Sequence, residues 1–155
     1  MEAVTASGRV AALAVSERKG TVKLAVPRAV FVADHGIAGD AHAGPGDRQV
    51  SILAVESIRV MEEALGRPLD PGRFGENVVV EGCGLAAVRV GDRIALGDAE
   101  LEVAAIGKTC HHGCEIRRLT GDCIMPREGV FARVLAGAEV RVGAGVRLLP
   151  GGGTE

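Results

Sequence analysis

The chain has 155 residues, 47% of them hydrophobic and 25% charged, with a formal net charge of -2 at pH 7 and a pI near 6.1. That length supports one domain with its own core, and the balanced charge gives no basic surface for a nucleic-acid partner. The absence of Trp and Tyr, with only three Phe, removes base-stacking platforms as well and leaves aliphatic side chains to fill the core.

No apolar run reaches the roughly 20 residues that span a bilayer, and no charged start followed by an apolar stretch marks an export signal. A cytoplasmic protein without a membrane partner is expected. In that setting four cysteines are better read as thiol or metal chemistry than as two disulfides. Twenty-one valines beside 23 glycines favour many short strands separated by tight turns.

In chain order, residues 8–16 read as a first strand with little polar alternation, and residues 17–20 as an exposed turn. Residues 28–33 follow Pro27 as a second strand. Residues 34–48 form a polar, glycine-rich loop, long enough that an ordered functional role is the favoured reading. A strand over 49–53 runs into the clearest helix, 54–65, where Val55, Ile58, Met61 and Leu65 recur on one face and Gly66 is a stop. After a loop at 68–76 come a strand at 77–81 and a turn holding Cys83 between two glycines. Residues 88–90, 93–96 and 100–106 read as strands joined by Gly-Asp turns, as in a meander. A second irregular stretch, 108–128, precedes a short helix expected at 129–135, then strands at 139–142 and 146–149. Residues 1–150 form one domain, with a disordered tail expected at 151–155. The expected fold is mainly β, a barrel-like domain with one clear helix and short helical turns.

Three groups of residues carry candidate chemistry. Cys110, Cys114 and Cys123 fall within fourteen residues, with His111 and His112 among them and Lys108, Arg117 and Arg118 nearby. Thiolates suit nucleophilic or soft-metal chemistry, and cationic neighbours lower a thiol pKa and attract phosphate or an oxyanion. The spacing matches neither paired zinc cysteines nor a common iron–sulfur run. A reactive or cofactor-ligating thiol, a metal site, and cysteines without chemistry all stay open. In the second group, His35 and His42 sit in the 34–48 loop with Asp34, Asp40 and Asp47, and Arg48 follows as an anion donor. Solvated histidines and a surface ion pair for Arg48 are the plain alternatives. Glu76 and Asn77, just ahead of a strand, either aim polar groups at a barrel rim or cap local backbone. No Walker lysine, dinucleotide fingerprint or nucleophile elbow occurs.

The runs Gly8-Arg9-Val10, Lys19-Gly20-Thr21 and His35-Gly36-Ile37-Ala38-Gly39-Asp40-Ala41-His42 resemble the opening of a MOSC domain. Arg48-Gln49-Val50-Ser51, Pro71-Gly72, Phe74-Gly75-Glu76-Asn77, Gly107-Lys108 to Cys114 and Gly121-Asp122-Cys123-Ile124-Met125-Pro126 continue the pattern in order. The family is named for the C-terminal domain of the molybdenum-cofactor sulfurase. The resemblance implies a β-barrel like the small barrel domain of pyruvate kinase, and molybdenum-cofactor sulfur chemistry through a cysteine. It makes Cys110 the first choice for the thiol, as sulfur carrier or molybdenum ligand, with Cys114 and Cys123 as partners. His35, His42, Arg48, Glu76, Asn77, Lys108, His111, His112 and Arg117 are then the residues around a pterin phosphate or oxyanion.

The implied partners are molybdenum-cofactor biosynthesis proteins or molybdoenzymes, with oligomeric state open. The sulfurase's desulfurase domain is absent, so no pyridoxal phosphate is expected in this chain alone. Asp47 stands where many relatives have histidine. Two alternatives remain: a non-catalytic cofactor delivery module, and a metal-dependent enzyme cleaving C–S or N–O bonds.

Overall fold

The computed structural model describes residues 6–19, 21–107 and 128–151. Its strands are β1 (Ala6–Val15), β2 (Leu24–Val26), β3 (Arg28–Val32), β4 (Gly36–Ile37), β5 (Val50–Ala54) and β6 (Val78–Glu81). They continue as β7 (Arg93–Leu96), β8 (Ala99–Ile106), β9 (Val130–Ala136), β10 (Ala138–Arg141) and β11 (Gly145–Leu149). Among the described residues one α-helix, α1 (Val55–Leu65), lies between β5 and β6.

Seven strands close a barrel in the order β11-β7-β8-β9-β5-β6-β1, with β1 returning to β11. Closure removes the sheet edges, which a valine-rich chain would otherwise expose to aggregation. Every neighbouring pair is antiparallel except β5 and β6, which run parallel. Parallel neighbours need a crossover, and α1 supplies it. β1 is long enough to serve several partners: Ala6 to Arg9 pairs with β11, Arg9 to Leu13 with β6, and Leu13 to Val15 with β2. A separate three-stranded sheet, β10-β3-β4, carries the start of the 34–48 loop.

Strand alternation sorts the core into two clusters. Val50, Ile52, Val78, Val80, Val130, Ala132 and Val134 belong to the large cluster of the barrel interior. Their neighbours Leu53, Val79 and Phe131 belong instead to a smaller cluster with Ile58 and Met61 of α1, Leu69 and Phe74. The helix therefore packs on the outside of the barrel through the face that its spacing identified, with Val55 and Leu65 half-buried at its ends. Gly66 ends it in the left-handed conformation (φ 73°), and its N–H donates to the Glu62 carbonyl at 2.8 Å.

Three expectations need correction. Residues 129–135 are not a helix: from Val130 the chain is β9, held between β8 and β5. The spacing of Val130, Phe131 and Val134 fits a helix turn, but pairing on both edges decides, with Arg133 turned outward. Residues 88–90 are not a strand, and the chain there passes from a 3-10 turn (Leu85–Ala87) into the turn before β7. The short strand β2 had no place in the sequence reading, because three residues carry too little pattern. The meander itself survives as the β7–β8 hairpin.

Candidate functional site

The 34–48 loop is tied down along its length. Asp34 N–H donates to the Val134 carbonyl at 2.8 Å, and the Gly44 N–H reaches the His35 carbonyl at 2.7 Å. Ala41 N–H donates to the Ser16 carbonyl at 2.8 Å, which fastens the loop to the end of β1. At the far end Gln49 is buried, its Oε1 accepting the Val134 N–H at 3.0 Å. Its Nε2 faces Asp34 Oδ1 at 3.4 Å.

Within this frame the two histidines differ. His35 is exposed. His42 is half-buried and meets a charge pair: Lys23 Nζ lies 3.1 Å from His42 Nδ1 and 2.8 Å from Asp40 Oδ1. The Lys23 and Asp40 side chains are both fully buried. Asp40 also accepts the Ser16 N–H and the His42 N–H, each at 3.1 Å. Burial pushes the Asp40 pKa up, but the hydrogen bond and charge of Lys23 and the two backbone donors outweigh it, so the net shift is downward. Of the aspartates expected to orient these histidines, Asp40 lies beside His42, while Asp34 is turned to Gln49.

Glu76 and Asn77 are almost completely buried. Glu76 accepts the Gly72 N–H at 2.7 Å and the Phe74 N–H at 3.0 Å, closing the turn ahead of β6. Burial dominates its titration and pushes the carboxyl up to about 7, against those two donors, its own backbone N–H and the more distant charge of Lys23. Asn77 joins three segments: its Oδ1 accepts from Ser51 N–H at 3.0 Å and Ser51 Oγ at 3.2 Å, and its Nδ2 donates to the Ala14 carbonyl at 3.1 Å. Both side chains are thus committed to backbone and to Ser51 and shape the rim from inside.

Lys23 is the residue that the sequence reading missed. Its backbone N–H donates to the Gly72 carbonyl at 2.8 Å, while its side chain serves Asp40 and His42. Gly72 has φ 86°, and a Cβ there would lie 2.2 Å from the Lys23 carbonyl oxygen, so only glycine permits the approach. One residue therefore joins the Pro71 to Asn77 turn to the 34–48 loop. The available signal was a lysine between Val22 and Leu24, which reads equally well as a charge guarding a strand edge.

Arg48, expected as an anion donor with a surface ion pair as the plain alternative, is exposed and sits with its Cζ 5.3 Å from the centroid of the Phe131 ring, a cation–π contact. Phe131 and Phe74 share the cluster beneath α1, with Ala105 packed against it. The motif residues around Arg48 and around Glu76 thus rest on one apolar base.

Cys110, Cys114, Cys123, Lys108, His111, His112 and Arg117 lie outside the described residues. The described ends of their segment meet where Gly107 N–H donates to the Gly129 carbonyl at 2.7 Å. A cavity of about 140 Å³ beside those ends is lined by Ser57, Leu85, Ile106, Glu128 and Val130. A second, of about 290 Å³, lies between β2 and the 70–73 turn and contains none of the candidate residues from the sequence. Among the described residues no three His, Cys, Asp or Glu side chains converge as a metal site. Cys83, the described thiol, is buried in its turn, where loss of solvent raises its pKa. Among the described residues, no helix is long and apolar enough to cross a membrane.

A closed, mixed seven-stranded barrel with one external crossover helix and a rim of polar loops defines the class of protein. The MOSC domain model matches residues 38–147, and the chain belongs to that family. It is 29% identical over 143 residues to the uncharacterized protein YflK of Bacillus subtilis, and the match covers 86% of this chain but 64% of the relative. The chain thus spans less than two thirds of that relative's length.

Among solved structures, the YuaD protein of Bacillus subtilis is similar with a TM-score of 0.76 and 20% identity, covering 93% of this chain and 96% of the other. YiiM from Geobacillus stearothermophilus aligns with a TM-score of 0.71 and 22% identity, over 90% of this chain and 74% of its own. At such identities the likeness establishes the barrel fold.

Proposed function

We propose that the chain handles sulfur for molybdenum-cofactor chemistry, with Cys110 as the thiol and an anionic pterin phosphate or oxyanion held beside it. The observation that carries this reading is the family match, which spans both the His42 to Arg48 rim and the segment from Cys110 to Cys123. The described rim is compatible with an anion: Arg48 is an exposed guanidinium, and His42 stands in a cationic setting. Bound molybdenum cofactor would supply the metal centre that receives sulfur or holds oxo groups. His42 and Arg48 would orient its phosphate, and Lys108, His111, His112 and Arg117 add cationic or hydrogen-bonding groups near the thiol in sequence.

Cys110 acts first as a thiolate, attacking the terminal sulfur of a donor persulfide. The donor's S–S bond breaks, the donor leaves as a thiolate, and Cys110 is left as a persulfide. No external oxidant is needed, because the donor already carries the oxidised sulfur. Cys114 and Cys123 are the nearest thiols in sequence to take that sulfur onward. Cys110→Ser should abolish most persulfide loading from a small-molecule persulfide donor, measured by mass spectrometry of the intact protein. Unchanged loading removes Cys110 from the role. Elemental analysis of protein purified without chelator separates the other two readings. Molybdenum with pterin but no sulfur transfer fits a delivery module, and stoichiometric zinc or iron fits a metal-dependent enzyme.

A further inference from the structure

We propose that the cavity between β2 and the 70–73 turn binds a small monocarboxylate with a short aliphatic tail, the carboxylate on Arg73 and the tail against Val22, Leu24, Ala25 and Pro71. The site is separate from the thiol and the anion rim invoked above and does not depend on them.

The cavity holds about 290 Å³, close to the lower end of small-molecule sites, and both of its walls are fixed. One wall is β2, which pairs with β1 so that Leu24 stands opposite Val15 and Val26 opposite Leu13. The other is the turn, closed by the Arg73 N–H donating to the Asp70 carbonyl at 3.2 Å. Glu76 holds that turn on either side of Arg73, through the Gly72 and Phe74 N–H groups. The Lys23 N–H joins the two walls by donating to the Gly72 carbonyl at 2.8 Å. A ligand therefore meets a preformed cleft and need not order it.

Arg73 supplies the polar group. A guanidinium stays charged near neutral pH, and a cation partly withdrawn from water normally has an acceptor beside it. Arg73 is half-buried, and its Nε is shut from solvent without an acceptor. Among the described residues its side chain has neither hydrogen bond nor ion pair. The acidic residues nearest in sequence do not serve it: Glu76 is committed to Gly72 and Phe74, and Asp70 forms no ion pair with it. No protein hydrogen bond has to break when the guanidinium turns to a ligand, and its planar fork matches the two oxygens of a carboxylate.

Asp70 also lines the cavity and limits the charge that fits. A doubly charged phosphate would gain one cation and face one carboxylate, whereas a monocarboxylate spends its single charge on Arg73. The tail has a place in Leu24, which is 73% exposed, more than any other large apolar side chain among the described residues. Val22, Ala25 and Pro71 continue that apolar wall.

Hexanoate is the probe, followed by the amide chemical shifts of nitrogen-labelled protein at about pH 7. It should move the Val22, Leu24, Ala25 and Arg73 amides in one saturable transition. Arg73→Gln should weaken binding about tenfold or more, since it removes the charge and the fork. The same variant should keep the wild-type unfolding midpoint in urea, so that the weaker binding reads a lost contact and not a lost fold. Leu24→Ser should weaken binding about threefold by removing part of the apolar wall. Hexylamine and inorganic phosphate at the same concentrations should leave these amides in place. The proposal is overturned if hexanoate moves no amide of the cavity, if its shifts gather around Arg48 instead, or if Arg73→Gln binds as wild type does. An equal response to phosphate overturns the carboxylate assignment.

Discussion

Asp40 and Glu76 are two buried carboxyl groups on either side of Lys23, and their pKa values move in opposite directions. Asp40 has the ammonium at 2.8 Å, and its pKa falls in spite of burial. Glu76 has only peptide N–H groups, those of Gly72, Phe74 and its own residue, and the lysine charge at longer range, and its carboxyl is pushed up to about 7. The difference shows what burial demands: a full charge in hydrogen-bond contact offsets lost hydration, whereas backbone dipoles alone do not. It also divides the labour of Lys23, whose side chain settles the charge on one loop and whose backbone docks the other.

Removing the ammonium should erase the difference and have the largest effect. Lys23→Met leaves Asp40 uncompensated inside the protein and is expected to cost about 3–5 kcal/mol in urea unfolding. Adding Asp40→Asn to that variant should recover part of the loss, since an amide carries no charge to strand. Recovery stays incomplete because the Ser16 and His42 N–H groups need both carboxylate oxygens. Equal stability of Lys23→Met and wild type would show that Asp40 finds solvent or another partner.

The two groups also predict opposite pH responses. Glu76 has a folded pKa above its unfolded value of about 4.5, so the native state holds the proton more tightly. Its contribution is fully present below about pH 4.5 and is lost as pH rises to about 7, for a total of roughly 3 kcal/mol. Asp40, with its pKa depressed, contributes above the unfolded value near 3.8 and loses that contribution as pH falls through its lower folded pKa. Urea unfolding should therefore show greatest stability at about pH 4, between the two unfolded values, with a decline toward pH 7.5. Glu76→Gln should flatten the decline on the alkaline side and leave the acid side unchanged. A decline that persists in the variant assigns it to another group.

Much of this arrangement was legible in the sequence, but unevenly. The α1 face and the strands rich in valine follow from periodicity, because a helix or strand with one apolar side must bury it. The resemblance to the MOSC family carried the barrel, and among its motif glycines Gly72 is one whose close approach to Lys23 only glycine permits. The identity of β9 was hidden, because Val130, Phe131 and Val134 satisfy either period and only pairing with β5 and β8 decides. Lys23 was hidden for a different reason. Nothing local marks a lysine as buried; its partners lie at Ser16, Asp40, His42 and Gly72, and only the folded chain gathers them. Glu76 and Asn77 were visible as polar residues beside a strand, yet their commitment to Gly72, Phe74, Ser51 and Ala14 appears only in three dimensions.

The smallest expected effect on stability concerns Arg48, a charge at the rim that is not buried. Its described contact is the Phe131 ring, and a cation–π pair at an exposed position contributes only about 0.5–1 kcal/mol. Arg48→Gln should therefore lower stability by no more than that, because Phe131 stays packed in the cluster under α1. The ring's more useful effect is to hold the guanidinium near one place, its Cζ 5.3 Å from the centroid. If Arg48 receives an anion, Arg48→Gln should weaken phosphate binding about tenfold while leaving the unfolding midpoint almost unchanged. Arg48→Lys should fall between the two, because it keeps the charge but loses the bidentate fork. A variant that loses stability and keeps binding would make Arg48 a clamp on the barrel wall, and the contrast between the buried, structural charge at Lys23 and the exposed charge proposed for ligand binding at Arg48 would collapse.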